Sequence, residues 1–160
     1  MRSVSDSLQK AIQASHLDPD TCVLRHVTRT SRLIVAAFDT AFSPVGLSGH
    51  QFNLLMTLAR RGPLNVGSLA AAVGMHPSTT PRLIAPLVRD RLILTRAGAD
   101  RRERVIGITR KGRSRLLQAF PHWIDVQTRV VGQLGERRWS SAMAALRNIR
   151  GSLQQSPGSY

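Results

Sequence analysis

Two short aliphatic runs restrict the fold more than any other feature of the chain. Leu92 to Arg96 (LILTR) and Arg104 to Ile108 (RVIGI) favour strands, and the seven residues AGADRRE lie between them. That pattern predicts a β-hairpin. Nearly everything around it carries helical spacing, so the hairpin must fit into a mainly α protein. Its loop is crowded with charge, because Asp100, Arg101, Arg102 and Glu103 follow one another. A hairpin with an exposed, cationic tip is a wing.

The residues before the wing predict two short helices and a third. Ser48-Gly-His-Gln51 has the spacing of a capping box, with Leu47 and Phe52 placed as a hydrophobic staple. The helix that follows carries Phe52, Leu55, Met56, Leu58 and Ala59 and stops at Gly62-Pro63. Asn65 is the next cap, and Gly74 the left-handed stop. A third helix begins a few residues later, so the arrangement is a helix-turn-helix. Spacing puts Leu83, Ile84, Leu87 and Val88 on a buried face, with Ser78, Arg82, Ala85 and Arg89 opposite. That outer face suits a major groove. Small residues allow approach, hydroxyls bond phosphates or bases, and arginine can pair with guanine through two bonds. Pro81 fits the first turn if Ser78 is the cap, so the helix is expected to start near Thr79. Pro86 predicts a local kink between Arg82 and Pro86.

The flanks are expected to be helical. Residues 1–17 read as a loosely docked arm with some helical pattern at Leu8 and Ile12. Asp18-Pro19 is a good helix start, and the helix should run to about Phe42. Its apolar positions cover more than one stripe, which predicts two buried faces and a partner that could be another subunit. Thr109 caps a long helix with a kink expected at Pro121, Gly135 ends it, and Glu136 starts a last helix. The basic segment TRKGRSR at the start of the long helix opposes the helix dipole, so its charge should have another use, in phosphate contact or solubility. The expected organisation is an arm (1–17), a helical dimerisation region (18–44 and 109–155), a winged helix-turn-helix (45–108) and a tail (156–160).

The charge distribution points to a polyanion. The net charge is +14 over 160 residues. Residues 77–115 hold eleven arginines and lysines against three acids, eleven minus three giving +8. Arg101 and Arg102 stand where side chains could enter a narrow, electronegative minor groove. Asp100 beside them either anchors and orients an arginine or merely terminates the turn. The longest apolar run, Leu33 to Phe38, has six residues, against about 20 for a membrane span. No membrane partner is therefore expected, and with no apolar signal-peptide core in residues 1–20 the expected location is cytoplasmic. Cys22 is the one cysteine and no histidine pair has ligand spacing, so no metal or other cofactor is expected. No paired carboxylates, nucleophile triad or phosphate-cradling loop is present, and an enzyme is not expected.

Three stretches resemble the MarR family of winged-helix regulators: VGLSGHQFNLL (Val45 to Leu55), SLAAAVGMHPSTTPRLIAPLVRDRLI (Ser68 to Ile93) and, most specific, GADRRERVIGITRKGR (Gly98 to Arg113). The resemblance spans roughly Cys22 to Ile149. It implies a homodimer built on the first helix and the last two, with one reading helix and one wing per subunit on a palindromic, double-stranded DNA operator. It also implies regulation, more often repression, and in many relatives a small aromatic effector. By motif position Ser78, Thr79 and Arg82 match the family's major-groove residues, Arg102 the wing arginine and Asp100 its acidic partner. The full candidate DNA-binding set is Asn65, Ser68, Ser78, Thr79, Thr80, Arg82, Arg89, Arg96, Arg101 and Arg102. The chain departs from the family at His76, often aspartate, at Pro81, often threonine, and at Arg91, often a glycine that would relieve strain in a turn.

Two other functions compete. One is a winged helix that docks protein or RNA instead of operator DNA; the arginine wing argues against purely protein docking. The other is a regulator that senses oxidants through Cys22, since some relatives do so near the start of the first helix. The alternative for Cys22 is a small buried residue at the dimer interface.

Overall fold

The computed structural model describes residues 2–15, 18–76, 78–98 and 104–154. Seven α-helices and three short strands are present among them. The chain divides into two compact units, Met1–Ala37 and Phe38–Tyr160.

The first unit is helical. Helix α1 spans Arg2–Ser15, where an arm with some helical pattern was expected, and Val4, Leu8 and Ile12 recur on it at four-residue spacing, all exposed. Asp18 does cap, but it caps a 3-10 turn, Pro19–Thr21, by accepting the N–H of Asp20. Helix α2 begins only at Val23 and runs to Phe42. The turn is tied to it by Arg25 Nη1 on Asp20 Oδ1 (2.9 Å) and by His26 Nε2 on the Asp20 carbonyl (2.6 Å).

The second unit holds the core. A 3-10 turn at Ser43–Val45 ends in left-handed Gly46, and Ser48 then opens helix α3, Gly49–Arg61. Both arms of the expected capping box form, since Ser48 Oγ accepts from Gln51 N and Gln51 Oε1 accepts from Ser48 N. Asp39 Oδ1 takes the next N–H, that of Gly49, at 2.6 Å. An acidic side chain thus neutralises the positive end of α3. Phe52, Leu54, Leu55 and Leu58 of α3 are buried, and Phe42 stacks on Phe52 with centroids 4.5 Å apart.

Strand β1 (Leu64–Asn65) precedes helix α4 (Val66–Val73), and helix α5 follows at Thr80–Arg89. The wing strands are β2 (Ile93–Ala97) and β3 (Arg104–Ile108). The hairpin predicted from sequence forms, one residue later on its first strand, with Ile93 opposite Ile108 and Ala97 opposite Arg104. The sheet has a third strand that the sequence pattern did not predict. β1 pairs with β3, giving the antiparallel order β1-β3-β2. Ile93 and Ile106 point into the core with Leu69, Leu87 and Leu92.

Helix α6 (Arg110–Leu134) starts at the predicted Thr109 cap, whose hydroxyl accepts from Gly112 N, and ends at Gly135 (φ 76°). Helix α7 runs from Glu136 to Gln154. Both α5 and α6 continue through their internal prolines, Pro86 and Pro121.

Candidate nucleic-acid interface

The turn between α4 and α5 is built from glycine and backbone bonds. Gly74 takes a left-handed conformation (φ 71°), with Met75 N on the Ala70 carbonyl and Gly74 N on the Ala71 carbonyl. That is the paired bonding of a Schellman motif. The chain then turns at His76, whose carbonyl accepts the N–H of Thr79 (3.0 Å), the N–H of Thr80 (3.3 Å) and the hydroxyl of Thr80 (3.2 Å).

The late start expected for α5, near Thr79, holds to within one residue, but the expected cap does not. Ser78 is not the cap: its hydroxyl meets His76 Nδ1 at 2.7 Å. Thr79 occupies the cap position without a side-chain bond, and Thr80 and Pro81 make the first turn. Pro81 still lies where its missing N–H leaves no bond unmade. Thr80 must leave the DNA-binding set, because it is fully buried and its hydroxyl is donated inward. The buried face is also narrower than the spacing predicts. Leu87 is buried, Leu83 and Ile84 pack partly against the core, and Val88 is 40% exposed.

Ser78, Thr79, Arg82, Ala85 and Arg89 are all exposed. Arg89 Nε lies 3.2 Å from Asp90 Oδ1 in a solvent-exposed pair, which contributes little. The end of α5 is a second Schellman turn, with Leu92 N on the Leu87 carbonyl and Arg91 N on the Val88 carbonyl. Its left-handed position belongs to Arg91 (φ 58°), the one non-glycine residue with positive φ among those described. The strain expected at Arg91 is therefore present.

The sheet brings two more candidates into one row. Asn65 is opposite Val105, and Val105 is opposite Arg96, so all three side chains share one face. Asn65 also caps α4 by accepting the N–H of Ser68 at 2.8 Å. Ser68 is exposed in the first turn of α4, and Arg96 and Arg104 are exposed at the base of the wing. The tip residues Asp100, Arg101 and Arg102 lie outside the described residues.

The basic start of α6 has an internal use that the sequence did not reveal. Lys111 Nζ donates to the Asp90 carbonyl at the end of α5 (2.9 Å), and Arg115 Nη1 to the Val45 carbonyl (2.7 Å). Each cation meets a carbonyl at the negative end of a helical turn, which is favourable. Arg110 and Arg113 are exposed. Cys22 is exposed in the single chain. Among the described residues no group of three metal-ligating side chains occurs, and no helix is long and apolar enough to cross a membrane.

Comparison with known proteins agrees with this architecture. The model of the MarR family matches residues 45–103, from the turn before α3 to the wing loop. The Mycobacterium tuberculosis transcriptional regulator MosR, solved in complex with DNA, is 30% identical, with 84% of this chain and 97% of that chain covered and a TM-score of 0.76. A second structure of MosR is 29% identical, with 86% and 98% covered and a TM-score of 0.77. Bordetella bronchiseptica BpsR, in a structure concerned with regulation of its DNA binding by 6-hydroxynicotinic acid, shares the fold at 22% identity, with 80% and 98% covered and a TM-score of 0.73. No curated protein sequence matches the chain. With the wing, the helix-turn-helix and a 30% identical regulator aligned over most of both chains, the chain belongs to the MarR family of DNA-binding transcriptional regulators.

Proposed function

We propose that the protein is a repressor that binds a palindromic operator as a homodimer. The observation that carries this is the two-sided character of α5 and the turn that leads into it. Leu83, Ile84 and Leu87 turn to the core while Ser78, Thr79 and Arg82 stay exposed. In this role Ser78, Thr79 and Arg82 meet base edges, with Arg82 suited to guanine, and Arg89, Arg96, Asn65 and Ser68 meet the phosphate backbone. Arg101 and Arg102 enter the minor groove, with Asp100 orienting the wing arginine.

A second copy of the chain is the proposed partner of the exposed apolar residues on α6 and α7. Leu117 is 73% exposed, and Phe120, Ile124, Leu146, Ile149 and Leu153 are all more than a third exposed. Isolated surface leucines are ordinary, but a repeated apolar row on long helices marks an association face. The segments 18–44 and 109–155 would form this dimerisation region, and 45–108 the DNA-binding region. The protein would act in the cytoplasm, with the DNA.

A small aromatic effector that releases DNA is part of the same proposal. Its support is the related fold of BpsR, whose DNA binding is regulated by 6-hydroxynicotinic acid. A second mode of control, oxidation of Cys22, is favoured by the exposure of that thiol. Peroxide treatment that leaves DNA binding unchanged disposes of it.

Selection of bound DNA from a random pool, with and without aromatic acids, tests the main proposal. A palindrome with half-sites about one helical turn apart, roughly 34 Å, is the expected product. An asymmetric site, or none, refutes the dimeric operator reading.

A further inference from the structure

Two groups of Ser78 converge on one nitrogen. The hydroxyl lies 2.7 Å from His76 Nδ1 and the Ser78 backbone N–H lies 3.3 Å from the same atom. A backbone N–H can only donate, so this arrangement makes Nδ1 the acceptor and places the imidazole hydrogen on Nε2. Facing an acceptor nitrogen, the serine hydroxyl donates as well. A serine hydroxyl has one hydrogen and two lone pairs. With the hydrogen directed inward, Ser78 offers only lone pairs to whatever lies outside.

We infer that His76 is a specificity-determining residue, one that makes Ser78 an obligate acceptor toward the major groove. It is a positioning residue, since it acts through Ser78 and needs no contact of its own with DNA. The inference rests on the role proposed above for α5. An acceptor at Ser78 pairs with an amino group, N4–H2 of cytosine or N6–H2 of adenine. It faces guanine O6 and N7, or thymine O4, with no hydrogen to share. The preference is set before DNA arrives. His76 is held to α5 by its own carbonyl, which accepts from Thr79 and Thr80.

Two measurements test this separately. Nitrogen-15 NMR of the imidazoles, with His76 assigned by its loss in His76→Phe, should show the Nε2–H tautomer at a pH where imidazole is neutral. A proton on Nδ1 overturns the inference whether or not DNA binds. Selection from a random pool should then compare the wild type with His76→Phe, His76→Asn and Ser78→Ala. An asparagine oxygen can accept from groups two residues on, so His76→Asn should keep the wild-type preference. His76→Phe accepts nothing and frees the Ser78 hydrogen. Discrimination at one base pair of each half-site should fall about fivefold, the worth of about one hydrogen bond, and move toward guanine or thymine. Adding His76→Phe to Ser78→Ala should change nothing further. An unchanged preference in His76→Phe overturns the inference alone. A wild type that selects no sequence overturns the DNA reading of α5 and the inference with it.

Discussion

A Cβ placed on Gly112 would lie 2.0 Å from the carbonyl oxygen of Leu92 and 2.8 Å from Cγ1 of Ile108. That oxygen already accepts the N–H of Thr109 at 3.0 Å and its hydroxyl at 3.1 Å. The first turn of α6 therefore sits on the turn that ends α5, with room for a hydrogen atom and nothing larger.

Gly112→Ala should accordingly be among the most damaging single changes in the protein. A backbone carbonyl cannot move aside as the end of a flexible side chain can. The cost expected is about 3 kcal/mol, the upper end for overpacking. Urea unfolding monitored by circular dichroism measures it. A loss below about 1 kcal/mol would mean that α6 can lift from the turn.

Arg91→Gly should separate strain from charge. Glycine removes the left-handed penalty at φ 58°, partly offset by the greater freedom it gives the unfolded chain. A net gain of about 0.5–1 kcal/mol is expected. DNA affinity should stay the same or fall, since a cation is removed. A drop in melting temperature would show that the arginine side chain makes compensating interactions.

Arg82→Ala and Arg102→Ala should both weaken DNA binding with little effect on folding, but in different ways. Arg82→Ala should relax the base preference at one position in each half-site, at about 1–3 kcal/mol for a paired guanine contact. A wing arginine acts mainly through charge, so Arg102→Ala should flatten the dependence of affinity on salt, by about 0.9 in the logarithmic slope for each phosphate that is no longer neutralised. Titrations at several salt concentrations distinguish the two. Equal and sequence-independent losses would remove the proposed division of labour.

Leu117→Glu and Ile124→Glu should convert a dimer to monomers without unfolding the chain. Both residues are exposed in the single subunit, so the charge is harmless there and buried only in an assembly. Sedimentation velocity with a circular dichroism control is the measurement. A wild type that already sediments as a monomer contradicts the homodimer directly.

Most of the local structure could be read from the sequence because its causes are local. Ser48, Asn65, Gly74, Thr109 and Gly135 all cap or stop helices as the spacing predicts, since each acts within a few residues of itself. What escaped has other origins. β1 is two residues long and has no period to detect. Thr80 looks like a DNA-facing residue by type and position, but its hydroxyl turns back to a carbonyl four residues away. Lys111 and Arg115 reach partners 21 and 70 residues distant in the chain, which no window of sequence contains. Gly112 stands in the Ile-Thr-Arg-Lys-Gly signature that carries the family resemblance. Its physical reason, the close approach to Leu92, becomes visible only once α6 is docked.

The length of α6 has a consequence of its own. Its 25 residues make a rod of roughly 37 Å at 1.5 Å per residue. One end is fixed to the close of α5 through Lys111 and Gly112, and the exposed row of Leu117, Phe120 and Ile124 begins within two turns of that joint. One residue inserted after Arg115 would turn that row by about 100° relative to α5. Both ends would keep their own chemistry, but their phase would be lost. The helix is thus a gauge that sets the angle between that apolar row and the exposed side of α5.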